Sequence, residues 1–99
     1  MKTKVVTICG SMRFANEMIK IAGDLEKKHG WCVIQCVYDI DQATISKEET
    51  DNIINAHWKK IDLSDAVYIV NINGYIGNST QGEIEYAKTQ GKEIIYHIK

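Results

Sequence analysis

Four short apolar runs, rich in β-branched residues and nearly continuous in hydrophobicity, alternate with three amphipathic segments along this 99-residue chain. A strand that alternates polar and apolar residues can leave one face in water, but a continuous run must be covered on both faces. A parallel sheet between two helical layers meets that demand. The runs are about Lys4 to Cys9, Trp31 to Tyr38, Ala66 to Ile72 and Glu93 to Ile98. With right-handed crossovers, the βαβαβαβ pattern predicts a flavodoxin/Rossmann-like three-layer α/β sandwich around a four-stranded parallel sheet of order 2-1-3-4. No repeat or linker interrupts it, so one domain over residues 1–99 is expected.

Between the runs, Ala15, Met18, Ile19, Ala22 and Leu25 follow the i, i+3, i+4, i+7 spacing of a first helix, which Gly30 stops. A second helix is expected from Ser46 to about Asp62, because Ser46-Lys47-Glu48-Glu49 has the form of a capping box. A third should start at Ser79 or Thr80 and stop at Gly91, with Ile84 and Ala87 facing inward. Strands one and three are then neighbours whose following loops diverge. This predicts a ligand crevice between residues 10–14 and 71–83.

Composition narrows the ligand. Twelve basic and 13 acidic residues, without a basic block, exclude the positive footprint of a nucleic-acid-polymer binder, so a small molecule is expected. No apolar run approaches the roughly 18 residues of a membrane span, and the charged start lacks a secretory pattern; the expected compartment is the cytosol. Cys9, Cys32 and Cys36 lie in strand-like runs and read as small buried hydrophobes in a reduced interior. Cys32 and Cys36 would stand roughly 13 Å apart in a strand, too far for a bridge. No His/Cys/Asp spacing matches a zinc or iron site, and no motif calls for a cofactor. A crevice this shallow on one small subunit suggests a homodimer or larger assembly.

Two loops carry candidate chemistry. Gly10-Ser11-Met12-Arg13 opens the first helix, where backbone N–H groups, a hydroxyl and a guanidinium can converge on a phosphate. The alternative is a tight turn at Gly10, a cap from Ser11 and a solvated Arg13. The second loop, Asn73 to Ser79 with Gly77, runs into Thr80-Gln81-Gly82-Glu83. Glu83 reads either as the N3 carboxylate of a Thr80 capping box or as an acid bordering the crevice beside Tyr86, three residues on. In a first turn the helix dipole would stabilise its anion by roughly 0.3–1 kcal/mol. Glu85 is expected on the solvent side, paired weakly with Lys88. His57 lies at the edge of the second helix's apolar stripe, as a packed histidine or a catalyst. Asp39 or Asp41, after strand two, could accept sugar hydroxyls or form an ordinary polar turn.

Ile8-Cys9-Gly10-Ser11-Met12-Arg13, Ser64-Asp65-Ala66-Val67-Tyr68-Ile69-Val70 and Gly82-Glu83-Ile84-Glu85-Tyr86-Ala87 with Gln90-Gly91-Lys92 together resemble the nucleoside 2-deoxyribosyltransferase-like superfamily, which includes the 2'-deoxynucleoside 5'-phosphate N-hydrolases. The resemblance covers nearly the whole chain. It implies that Glu83, three positions before the tyrosine of the Tyr-Ala pair, is a nucleophile forming a covalent 2-deoxyribosyl ester. It also implies that Ser79, Ser11 and Arg13 face a 5'-phosphate. Where the family carries an aspartate, eight residues before Asp65, this chain has His57, a substitute proton donor because an imidazole can carry and release a proton. In the transferases a C-terminal extension of a neighbouring subunit completes the site, whereas this sequence stops at Lys99. The expected activity is cleavage or transfer at the N-glycosidic bond of 2'-deoxynucleosides or their 5'-monophosphates. A non-catalytic nucleotide-binding module is the alternative. A magnesium-dependent phosphoacceptor is disfavoured, because strand one ends in Cys9-Gly10 without an acidic pair.

Overall fold

In a computed structural model, which describes residues 2–38 and 44–98, the chain forms β1 (Val5–Gly10), α1 (Ala15–His29), β2 (Cys32–Ile34), α2 (Lys47–Asp62), β3 (Ala66–Val70), α3 (Asn78–Thr89) and β4 (Glu93–Tyr96), with 3-10 turns at Met12–Phe14 and Ile72–Gly74. All pairings are parallel and the sheet order is β2-β1-β3-β4, as the alternation of runs predicts. The strand pleat divides the interior in two. Val6, Ile8, Tyr68 and Val70 pack against Met18, Ala22 and Leu25 of α1. Cys9, Val67 and Ile69 pack against Ile61 of α2 and Ile84 and Ala87 of α3. Each of the valine, isoleucine, leucine and methionine side chains among them, when fully buried, stabilises the fold by roughly 1.5–3 kcal/mol.

Three expectations change. The α1 seam runs through Met18, Ile21, Ala22 and Leu25, leaving Ile19 49% exposed just off the stripe. β2 is only three residues long, its register with β1 ending at Thr7↔Ile34. Beyond it, the Lys60 ammonium donates to the Gln35 carbonyl at 2.9 Å. On this edge strand Glu26 accepts the Val33 N–H at 2.9 Å, a carboxylate covering an otherwise open ladder group. Cys32 is exposed rather than buried, and Cys36 is half-buried.

The helices are fixed locally. Ser46 caps α2 with both bonds of the capping box, and Gly30 closes α1 in the left-handed region at φ 67°. The α2 end is tied to β1 by a buried polar cluster, in which Thr7 Oγ1 donates to the Lys60 carbonyl at 3.0 Å and lies 2.6 Å from Ser64 Oγ. Among the described residues no helix is long and apolar enough to cross a membrane.

Candidate active site

The pleat that turns Val6 and Ile8 toward α1 turns Cys9 toward α2 and α3. There it meets one side chain from each helix. The Cys9 sulfur lies 3.5 Å from His57 Nε2, and His57 Nε2 lies 3.4 Å from Glu83 Oε1. All three donor atoms fall within 4.8 Å of one another. Cys9 is buried, while the His57 and Glu83 side chains keep 11% and 19% of their exposure. Burial first, then the charge and hydrogen bonding of the Glu83 carboxylate, push the Cys9 thiol well above its ordinary pKa. It is therefore held as the neutral S–H beside the Glu83 side chain.

Glu83 and His57 open onto a cavity of about 360 Å³ lined by Gly10, Met12, Cys36, Val37, Ile53, Ile54, His57, Trp58, Lys60, Asn78, Ser79, Gly82 and Glu83. One side is apolar, built from Ile53, Ile54, Trp58, Val37 and Met12. The other offers Lys60 and the first residues of α3. The crevice keeps both expected rims, Gly10 and Met12 on one and Asn78, Ser79, Gly82 and Glu83 on the other, and α2 extends it by supplying much of its wall. Tyr75 covers the loop side: Phe14 meets its ring edge-on, and the Arg13 guanidinium lies 3.7 Å from its ring centroid.

Of the residues singled out in the sequence, Gly10, His57, Ser79 and Glu83 line this cavity. Arg13 is stacked on Tyr75, and Ser11 accepts the Arg13 N–H at 3.3 Å as the cap of the 3-10 turn. Asn73 is exposed in a left-handed turn at φ 56°. Gly77 is the N-cap of α3. Tyr86 packs on Trp58 and donates its hydroxyl to Asp62. None of these five lines the cavity. Asp39 and Asp41 lie outside the described residues. Glu85 faces outward, 3.8 Å from Lys88, as expected.

The capping-box reading of Glu83 is overturned. α3 starts at Asn78, so Thr80 is already helical and buried, and Glu83 lies six residues past the N-cap. Its carboxylate is free of capping duty. It also lies beyond the first turn, where the dipole contribution expected above has decayed. Two site groups carry no sequence signal, Cys9 behind His57 and Glu83 and Lys60 in the cavity lining. Cys9 read as a core hydrophobe, although strand parity places it opposite Gly10; Lys60 carried no motif.

No family model and no curated protein matches the sequence. Among solved structures, the fold is similar to that of the CMP N-glycosidase BcmB of Clostridium botulinum, with a TM-score of 0.59 and 19% identity, over 94% of this chain and 70% of that one. At that identity the likeness establishes a shared α/β architecture.

Proposed function

We propose that this chain cleaves the N-glycosidic bond of nucleoside 5'-monophosphates, with 2'-deoxynucleotides as the expected substrates and Glu83 as the nucleophile. The observation that carries the reading is the Glu83 carboxylate, free of any capping role, opening onto the cavity 3.4 Å from His57. The fold likeness to a CMP N-glycosidase supports N-glycosidic chemistry at the general level.

The arrangement of α3 suits a nucleotide. Its N-cap, Gly77, makes no side-chain cap bond, so the N–H groups of the first turn are available to an anion beside Ser79. Ser79 and Glu83 are four residues apart, on one helix face and about 6 Å apart along the axis. A 5'-phosphate at the helix start thus brings the anomeric carbon toward Glu83. Lys60 adds a cation to the same cavity, and Trp58, Ile53 and Ile54 give the base an apolar wall. The cavity lies within the usual range of about 300–1,000 Å³ for small-molecule sites.

In the first step a Glu83 oxygen attacks C1', the C–N bond breaks with its electron pair going to the base, and protonated His57 supplies the proton. Water, giving its proton to the now neutral His57, then attacks C1' of the resulting ester and breaks its bond to the Glu83 oxygen, freeing Glu83 and the sugar phosphate. The Cys9 S–H, fixed behind the carboxylate, holds it in place. A second base as acceptor would give transfer instead of hydrolysis. Assembly into a homodimer or larger oligomer is part of this reading, since the cavity is open on one small subunit.

The test is base release, followed by chromatography, from ribo- and 2'-deoxynucleosides with and without a 5'-phosphate. The expected result is release that depends on the phosphate and disappears in Glu83→Ala. Tight nucleotide binding without release would replace the enzyme with a binding module. Release that persists in Glu83→Ala would remove the nucleophile.

A further inference from the structure

We propose that Cys9 Sγ, His57 Nε2 and Glu83 Oε1 form a zinc site with three protein donors, its fourth position opening into the cavity. Zinc favours four-coordinate tetrahedral geometry with sulfur, imidazole and carboxylate donors; catalytic-type sites use three protein ligands and leave the fourth to water or a ligand. A tetrahedron with Zn–S of about 2.3 Å and Zn–N and Zn–O of about 2.0–2.2 Å has S···N edges of about 3.5 Å and N···O edges of about 3.4 Å. The protein presents 3.5 Å between Cys9 and His57 and 3.4 Å between His57 and Glu83. A charge-assisted N–H···O bond would instead close to about 2.7–2.9 Å. Two of the three edges thus match donors arranged around a common centre better than donors bonded to each other, and the third, from Cys9 to Glu83, lies within 4.8 Å.

The placement of the donors supports the same conclusion. Cys9 is rooted in β1 and buried, so its sulfur is fixed behind the cavity-lining His57 and Glu83. His57 and Glu83 come from α2 and α3, which pack on the same sheet face, and both line the cavity through which an ion would enter. The thiol releases its proton to solvent when the ion binds, because a coordinated divalent cation outweighs the burial and the neighbouring carboxylate that otherwise keep it protonated.

Occupation takes up the Glu83 oxygen and the His57 nitrogen needed for glycosidic cleavage, so the zinc-loaded protein is inactive and regains base release when zinc is removed. That consequence rests on the proposed nucleophilic role of Glu83; the metal site itself does not.

The experiment uses the full chain stripped with a chelator. Zinc uptake is measured by competition with a chromophoric chelator, and cobalt(II) serves as a spectroscopic probe. Expected are one ion per chain and, with cobalt, a thiolate charge-transfer band together with tetrahedral visible bands. Cys9→Ser abolishes the charge-transfer band and weakens zinc binding beyond the roughly 10–100-fold typical of losing an outer-shell partner. Should Cys9→Ser fail to fold, His57→Gln, on a partly open helix face, is expected to weaken zinc binding likewise. The Cys32→Ser/Cys36→Ser double variant retains one ion per chain. Failure to take up zinc, uptake insensitive to both Cys9→Ser and His57→Gln, or loss of uptake in the double variant overturns the site. If zinc binds as described but no substrate ever releases a base, the functional reading falls while the site stands. If base release occurs and zinc neither binds nor inhibits, the site falls alone.

Discussion

Gly10→Ala tests whether the glycine at the end of β1 serves ligand approach or packing. A Cβ built there would meet Met18 Sδ at 3.0 Å, Val70 Cβ at 3.2 Å and Met18 Cε at 3.3 Å. Both neighbours are essentially fully buried, so neither has solvent to move into. The Met18 terminus can swing by a few tenths of an ångström, but the Val70 Cβ is held by β3. Overpacking of this kind costs about 1–3 kcal/mol. Replacing a strand glycine by alanine ordinarily returns roughly 0.5–1 kcal/mol through reduced backbone freedom. The packing term wins, leaving a net loss of about 0.5–2 kcal/mol; a chain this size loses roughly 4–8 °C of melting temperature per kcal/mol. Urea titration and thermal melting followed by circular dichroism measure it. Coupling to Met18→Ala supplies a second check, because the double variant should lose less than the two single losses combined. A Gly10→Ala protein as stable as the parent would refute the packing account and point to backbone approach in the cavity as the reason for glycine.

Two further perturbations probe the frame around the site. Ser46→Ala removes the α2 cap bond to the Glu49 N–H at 3.0 Å and should cost about 1 kcal/mol. The reciprocal bond, from the Ser46 N–H to Glu49, lowers the Glu49 pKa. Its contribution is therefore present above the ordinary glutamate value and lost as pH falls through the lowered folded value. Glu49→Gln should flatten that part of the stability profile, and an unchanged profile would contradict the assignment. Asn71 is buried and bonds Ile98 twice, donating Nδ2 to its carbonyl at 2.9 Å and accepting its N–H at 2.8 Å. Asn71→Ala should cost about 1–3 kcal/mol and accelerate hydrogen exchange at the Ile98 amide, whereas unaltered exchange there would show that the β4 end is held otherwise.

Local rules read well where one interaction dominates. The Ser46 capping box and the left-handed Gly30 are complete within four residues of sequence, and both stand as the pattern predicts. They fail where two signals compete. Thr80-Gln81-Gly82-Glu83 has the letters of a capping box, but α3 begins two residues before Thr80 because Asn78 and Ser79 are already helical and Gly77 supplies the extended N-cap. Thr80 is buried as a result, and Glu83 moves from the first turn to the cavity. The apolar run of strand two outlasts its pairing for a related reason. Apolar residues past Ile34 line the cavity or pack against the α1-side core without pairing to β1, so hydrophobicity alone cannot mark the end of pairing.

The meeting of Cys9, His57 and Glu83 belongs to topology rather than to any motif, since 48 residues separate the first pair. In a sheet of order 2-1-3-4, the crossover from β1 to β2 runs in the direction opposite to those from β2 to β3 and from β3 to β4. Right-handedness therefore puts α1 on one face and α2 with α3 on the other. Strand parity then decides which β1 residue faces the helix pair. Gly10, whose Cβ would point at Met18, belongs to the α1 side, so its neighbour Cys9 must face α2 and α3. With those two constraints the thiol has no other layer to enter, and His57 and Glu83 are the cavity-lining acid–base groups that the two helices bring within reach of it. Shifting the β1 register by one residue would send Cys9 into the α1 core and dismantle the cluster without altering a single site residue.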